Sequence, residues 1–552
     1  MDEVGIVLAM LLAVVASGYL VRVLPFAVPL PLVQIALGAA ISSTTGHGVR
    51  LEPHIFFLLF LPPLLFLDGW RIPKVGLFRD RSTILELSLG LVLFTVIGAG
   101  SLIHWLIPSL PLPVSFALAA ILAPTDPIAV SAIAARVPIP PRLVHILEGE
   151  SLLNDASGLV CFRFAVAAAM TGTFSLGEAS LTFLWVALGG IAIGAGLTVL
   201  VAGAQRFLAT RIGEESGSPI LISLLMPFGA YLAAEHFDAS GILAAVAAGI
   251  TMSYVELGGR AQAVTRVRRT AVWDTVQFAL NGIMFVLLGE QLPDIVRAAL
   301  NAPEVPAAHD VWWLAGNALA ISVGLILLRF VWVWVSLRLT LLNARRQQQA
   351  VYKPNWRLVV ATSLAGVRGA ITLAGVLTLP MLLPSGDPFP GRDLAIFLAS
   401  AVIVVSLIVA SVGLPRVLRG LELPAEGHHE SEEDNARHVA AMAALEAIAK
   451  APPPPSAPDA DPGEDAEMQA NALDQVRSLY QYRLDSGMAG GIGLGVAPAR
   501  VRAAEAAERH YRLAALEHER AVLLRMARHN QLSDEIARKL LREIDLVEAR
   551  YR

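Results

Sequence analysis

The chain has 552 residues, of which 55% are apolar and 16% charged, and its formal net charge is −4; ordinary soluble domains carry roughly 25% charged residues. That composition excludes a string of water-soluble domains for most of the length, and the near-neutral balance excludes a basic nucleic-acid-binding domain. Charge is also unevenly placed, at about 12% of residues 1–423 against about 29% of residues 424–552, so a membrane-embedded body precedes a water-facing tail.

The N-terminus, Met1-Asp2-Glu3-Val4, lacks the basic start of a cleavable signal, so its apolar run is predicted to stay as a span. An apolar segment of about 20 residues crosses the hydrocarbon as a helix, because every backbone polar group there must be paired internally. About thirteen such segments follow in order: 4–24, 27–45, 54–70, 83–107, 112–136, 144–170, 179–204, 218–236, 239–255, 271–292, 312–340, 356–383 and 392–420. With the N-terminus outside, the inner loops collect Arg22; Arg71, Lys74, Arg79 and Arg81; Arg142; Arg206 and Arg211; Arg260, Arg266, Arg268 and Arg269; and Arg338, Arg345, Arg346 and Lys353. The outer loops hold only Arg50, Arg297 and Arg392, which fits the excess of positive charge on the cytoplasmic side. The chain is therefore expected in the inner membrane, multi-pass, with lipid around it and a cytoplasmic tail. Residues 424–498 read as an acidic, Pro-rich and Gly-rich linker, in which His428 and His429 belong to a solvated stretch. Residues 499–552 read as a helical tail, broken near Asn530 and restarting at Ser533, with no catalytic or nucleotide-binding pattern and no identifiable partner. The lone Cys161 lies in an apolar run and rules out a disulfide framework within the chain.

Ionisable groups at membrane depth are costly and usually line an ion path or pair with one another. The body holds Asp68 in LPPLLFLDGW, Asp126 in AILAPTDPIAV, Glu150 and Asp155 in LEGESLLNDASGLV, Arg163 two turns further on, Asp274, Glu290, and Arg368 in SLAGVRGAITLAG. Pro124 and Pro127 flank Thr125 and Asp126, so the fifth segment is predicted to unwind there; such interruptions are tolerated only inside protein or against a watery cavity. In the sixth, Ser151, Asn154 and Asp155 share one helix face and offer hard oxygen donors suited to small hard cations, with no His or Cys to suggest zinc. Glu150 is one residue off that face and needs a cation; Arg368 is the expected partner, because either charge alone would be very costly.

Side by side, LPPLLFLDGW (61–70), APTDPIAV (123–130), GESLLNDASGLV (149–160), NGIMFVLLGEQL (281–292) and GVRGAITLAG (366–375) resemble, in the same order, the monovalent cation/proton antiporter-1 family of sodium/proton exchangers. The resemblance spans roughly residues 5–420. It implies an all-α fold of about thirteen spans, with inverted repeats and crossing broken helices, assembled as a homodimer. It also implies exchange of Na+ for H+ in pH and cation homeostasis, without a cofactor. Carried over by position, Asp155, Asp126, Thr125 and Ser151 hold Na+, Asn154 marks electroneutral one-for-one exchange, Glu150 and Arg368 form an ion pair near the site, and Asp68 is a passage residue. Energy comes from an existing ion gradient, since no GxxxxGK[ST] nucleotide motif is present.

Oxygen donors alone leave Na+, Li+ and K+ open, because cavity dimensions decide ion size. A K+/H+ antiporter is therefore the alternative at this point, and a channel a second. An intramembrane aspartyl protease also places two aspartates on neighbouring spans, but no GxGD motif is present and Asp126 sits in a proline-broken segment.

Overall fold

A computed structural model describes residues 3–24, 28–45, 53–71, 84–126, 141–172, 176–212, 217–257, 263–302, 311–346 and 356–419, together with 441–450 and parts of 467–481 and 513–548. Pro127 and, in the tail, 499–512 and 526–539 lie outside the described residues, as do the loop residues Lys74, Arg79, Arg81, Arg260 and Lys353.

Each predicted segment overlaps a helix. These are α1 (Glu3–Val23), α2 (Leu30–Thr45), α3 (Pro53–Arg71), α4 (Leu91–Leu106, entered through a π-helical turn, Glu86–Gly90), α5 (Leu112–Leu122) and α6 (Pro141–Thr171). They continue as α7 (Leu176–Ile212), α8 (Ser218–His236), α9 (Gly241–Leu257), α10 (Ala263–Leu300), α11 (Val311–Arg346), α12a (Trp356–Leu364) with α12b (Ala370–Leu377), and α13 (Arg392–Leu418). Among the described residues, 8 helices are long and apolar enough to cross a membrane. Large apolar side chains such as Trp185, Leu188, Leu200 and Phe207 on α7 face outward rather than into a core, as on a helix solvated by lipid.

The helices of residues 1–421 sort into two bundles. In the first, α2 lies along α10, α3 along α9, and α7 and α8 along α9, with α1 on α2 and α10. Small residues set these pairings. A Cβ on Gly38 would run into the Val286 carbonyl of α10, and one on Gly289 into the Ile35 carbonyl of α2. Likewise Gly69 meets Val246 of α9, and Gly249 meets Phe66 of α3. Backbone thus rests on backbone with no side chain between, the packing that small residues permit between membrane helices. In the second bundle α4 packs on α5, α5 on α6, α11 on α4 and α12a, and α13 on α11, α12a and α12b.

The pairings repeat. The α2–α10 contact corresponds to α9–α3, α4–α5 to α11–α12a, and α5–α6 to α12 with α13. Counterparts stand an odd number of spans apart, so the second copy runs opposite to the first, the inverted repeat of secondary transporters. The interrupted α5 and α12 are counterparts. Sequence alone shows the break in α5, through its prolines; it reads 356–383 as one segment, whereas the structure opens it at 365–369, where Gly366 and Gly369 flank Arg368.

Residues Glu422–Arg552 form a separate unit. Residues 441–450, within the predicted linker, are helical. The Ala-rich AMAALEAIAK stretch favours helix, and Lys450 pairs with Glu446 one turn away at 2.6 Å. Further on, Arg520 joins helical 515–523 to helical 543–548 through Asp545 at 2.8 Å and through Glu548.

Candidate functional site

The second bundle buries Glu150, Asp155, Arg329 and Arg368 in its interior, and the interrupted helices explain why. Where α5 stops at Leu122, its last carbonyls have no helical partner. Arg368 Nε donates to Leu122 O at 2.8 Å, and its Nη1 donates to Gly366 O, so one guanidinium closes both breaks. Asp126 N–H donates to Val367 O at 2.7 Å, binding one unwound segment directly to the other. The Arg368 amide finds Ser406 Oγ at 3.1 Å. The groups freed by unwinding are in this way satisfied within the protein, the condition for irregular backbone at membrane depth.

Helix-end polarity fits the charges. Arg368 stands at the negative end of α5, and Arg329 Nε takes Thr362 O at 2.9 Å at the negative end of α12a. At the positive start of α12b the Asp126 carboxylate lies against Gly369, closely enough that a Cβ there would overlap it.

Arg329 also corrects an expectation. Glu150 pairs not with Arg368 but with Arg329, which grips both carboxylate oxygens, Oε2 at 2.8 Å. Glu150 and Arg329 are 1% and 2% exposed, so this is a buried bidentate pair. The physical reason is division of labour: Arg368 is committed to backbone carbonyls across the crossing, and Arg329, entering from α11, has a fork free for Glu150. Sequence reading passed over Arg329 because a single charge leaves a long apolar window intact. Its insertion cost was the signal that it needed a partner.

From Glu150 a polar chain runs back to α5. Thr125 Oγ1 donates to Glu150 Oε1 at 3.4 Å, and Asn154 Nδ2 donates to Thr125 Oγ1 at 3.1 Å. The phase of α6 is held by Ser157, whose hydroxyl meets Ser88 O in the π-helical turn at 2.6 Å. With α6 so set, Ser151 and Asp155, one turn apart, face a cavity of about 390 Å³ including its open mouth. Pro124, Thr125, Asp126, Gly369, Ile371 and Thr372 line it from the same bundle, and Leu64, Asp68 and Asn281 from the other. Asp68 reaches it because Gly69 presses α3 onto α9.

Five of the predicted site residues, Thr125, Asp126, Ser151, Asp155 and Asp68, therefore line one cavity. Asn154 is turned away from it, toward Thr125, and Glu150 and Arg368 stand behind it. Asn281 opens the segment NGIMFVLLGEQL, and nothing in the sequence alone marks it as a cavity residue. Arg163 pairs at 3.1 Å with Glu235 of α8, which sequence reading did not single out, and Asp274 pairs with Arg71 at the end of α3.

Inverted halves meeting at two interrupted helices, with a buried carboxylate beside the crossing, define a secondary ion antiporter of the membrane. The chain belongs to the sodium/hydrogen exchanger family, whose transmembrane-domain model matches residues 8–420. It is 41% identical over 547 residues, 98% of each chain, to a protein of Escherichia coli named an uncharacterized Na(+)/H(+) exchanger, YjcE. It is 43% identical over 421 residues to the sodium, potassium, lithium and rubidium/H(+) antiporter of Bacillus subtilis, covering 75% of this chain and 61% of that one. In fold it is similar to the sodium proton antiporter MjNhaP1 of Methanocaldococcus jannaschii, at a TM-score of 0.54 and 19% identity over 76% of this chain and 99% of that one. Members of this family are transporters rather than enzymes, so the protease alternative falls away.

Proposed function

We propose that the chain exchanges one Na+ for one H+ across the inner membrane in pH and cation homeostasis, with Asp155 binding the two in alternation. The carrying observation is that Asp155, 3% exposed, lines the cavity at the crossing of the interrupted helices. A bare carboxylate is unfavourable at that depth. Either a proton or a cation relieves it, and each excludes the other. Ser151, Thr125 and Asp126 supply further oxygens, and Asp68 stands on the passage. The bundle changes face when Asp155 is neutralised and stalls when it is bare. Asn154 is neutral and its amide is engaged by Thr125, so each half-cycle carries the same charge.

The same proposal has the N-terminus outside, the tail cytoplasmic and the chain a homodimer, as the loop charges and the family resemblance imply. In it residues 1–423 carry exchange, 424–498 connect, and 499–552 modulate. A wider cation range, K+ included, is the second reading, favoured by the name of the Bacillus subtilis relative.

The test is exchange by purified protein in proteoliposomes, with a pH dye inside and Na+, Li+ or K+ added in turn, at membrane potentials clamped with potassium and valinomycin for the Na+ arm. Na+-driven proton flux is expected, with an equilibrium gradient indifferent to the clamp. One net charge per cycle would instead add about 2.3 kcal/mol per 100 mV to the driving force. A gradient that follows the potential would refute one-for-one exchange and make Asp126 a second proton carrier.

A further inference from the structure

The cavity is built by both bundles, and their contributions differ in kind. The bundle with the interrupted helices offers Asp155, Asp126, Ser151 and Thr125. The glycine-packed bundle offers Asp68 from α3 and Asn281 from α10, two helices that are counterparts in the inverted repeat. Asn281 is 9% exposed, and its side-chain oxygen is fully buried with no hydrogen bond from any of the described residues. An acceptor left so in a protein interior is costly, and buried acceptors are as a rule satisfied. The backbone packing makes its position a fixed one. Gly282, the next residue, is pressed against Val14 of α1 and Gln34 of α2, so the phase of α10 is set and Asn281 is held toward the cavity.

Among the described residues no three His, Cys, Asp or Glu side chains converge closely enough to hold a metal ion. A dehydrated cation at Asp155 draws on neutral oxygens as well as carboxylates, and the cavity offers those of Ser151, Thr125 and Asn281. We infer that Asn281 is a specificity-determining cation ligand of this exchanger, a carbonyl oxygen supplied to the ion at Asp155 from the opposite bundle. It rests on the exchange proposed above. A protonated Asp155 already has its charge neutralised and makes no use of that oxygen, whereas a dehydrated alkali cation does. Asn281 accordingly raises affinity for the cation without raising affinity for the proton.

Purified full-length protein carrying Asn281→Leu, close in shape but without the oxygen, tests this in proteoliposomes. The expected result is an apparent KM for Na+ about tenfold higher, with the maximal rate and its pH dependence at saturating Na+ preserved. In detergent, the Na+ concentration needed for half of the thermal stabilisation by Na+ should rise by the same factor. Asn281→Gln keeps the carbonyl but carries it one methylene further into the cavity, so the preference for Li+ over Na+ should rise, a readout that a merely structural role would leave alone. This second variant also decides the matter if Asn281→Leu fails to fold. Wild-type protein that exchanges cations while the variants keep its KM and its ion ratio would overturn the assignment of Asn281 alone. Wild-type protein that exchanges no cation would overturn the parent proposal.

Discussion

The two bundles solve opposite problems with the same residue type. In the α2–α10 and α3–α9 pairs, glycine brings continuous helices together backbone to backbone. In the α5–α12 crossing, Gly366 and Gly369 flank a break, with both arginines at Gly366 and the Asp126 carboxylate at Gly369. The first arrangement leaves nothing between the helices to slide or repack. The second leaves carbonyls, helix ends and charges that need partners, and so creates room for an exchangeable one. A glycine-packed wall and a polar, interrupted wall then face each other across the cavity, and the alternation of proton and cation at Asp155 is expected on the interrupted side, with Asp68 and Asn281 reaching it from the other.

Asp155→Asn should give the largest effect. The substitution is nearly isosteric, so folded yield should hold while cation-dependent proton flux falls to background; flux near that of the wild type would move the chemistry elsewhere. Next comes the buried pair. Glu150→Gln and Arg329→Gln each leave a buried charge alone and should each cost about 3–5 kcal/mol, read as loss of folded protein. The double variant should recover part of that loss, whereas Glu150→Gln combined with Arg368→Gln should be closer to additive. Recovery with Arg368 instead would reinstate the pairing that sequence suggested.

The comparison is sharpest when one substitution is made on both sides. Gly289→Ala places a methyl on the Ile35 carbonyl and should cost about 1–3 kcal/mol of stability, with exchange per folded molecule little changed. Gly369→Ala drives a methyl into the Asp126 carboxylate and should lower exchange in the protein that does fold. Equal effects of the two on exchange would dissolve the distinction between the walls. The smallest effect is expected from ending the chain after Leu421: exchange should persist, with a shifted pH or cation dependence, and an inert but correctly inserted truncation would make the tail part of the core machine.

Much of this was legible beforehand. Apolar runs mark the helices because lipid leaves the backbone no other pairing. The cavity carboxylates announced themselves through their cost. What sequence did not carry is who meets whom across helices. Glu150 has two arginines within the fold, and only the crossing, which commits Arg368 to Leu122 and Gly366, leaves Arg329 for it. The break in α12 was hidden for a related reason: glycines permit an interruption without demanding it, where the prolines of α5 demand one.

The partner choices of α2 and α3 bear on how the chain is made. Both leave the ribosome early, yet their close-packed neighbours are α10 and α9, more than a third of the chain downstream. At a synthesis rate of about 5–20 residues per second, α2 waits roughly 10–50 s for α10 to emerge. During that interval the surface around Gly38 faces lipid or the insertion machinery, and a nascent chain stalled after α9 should leave it open to a lipid-phase label that the finished protein excludes.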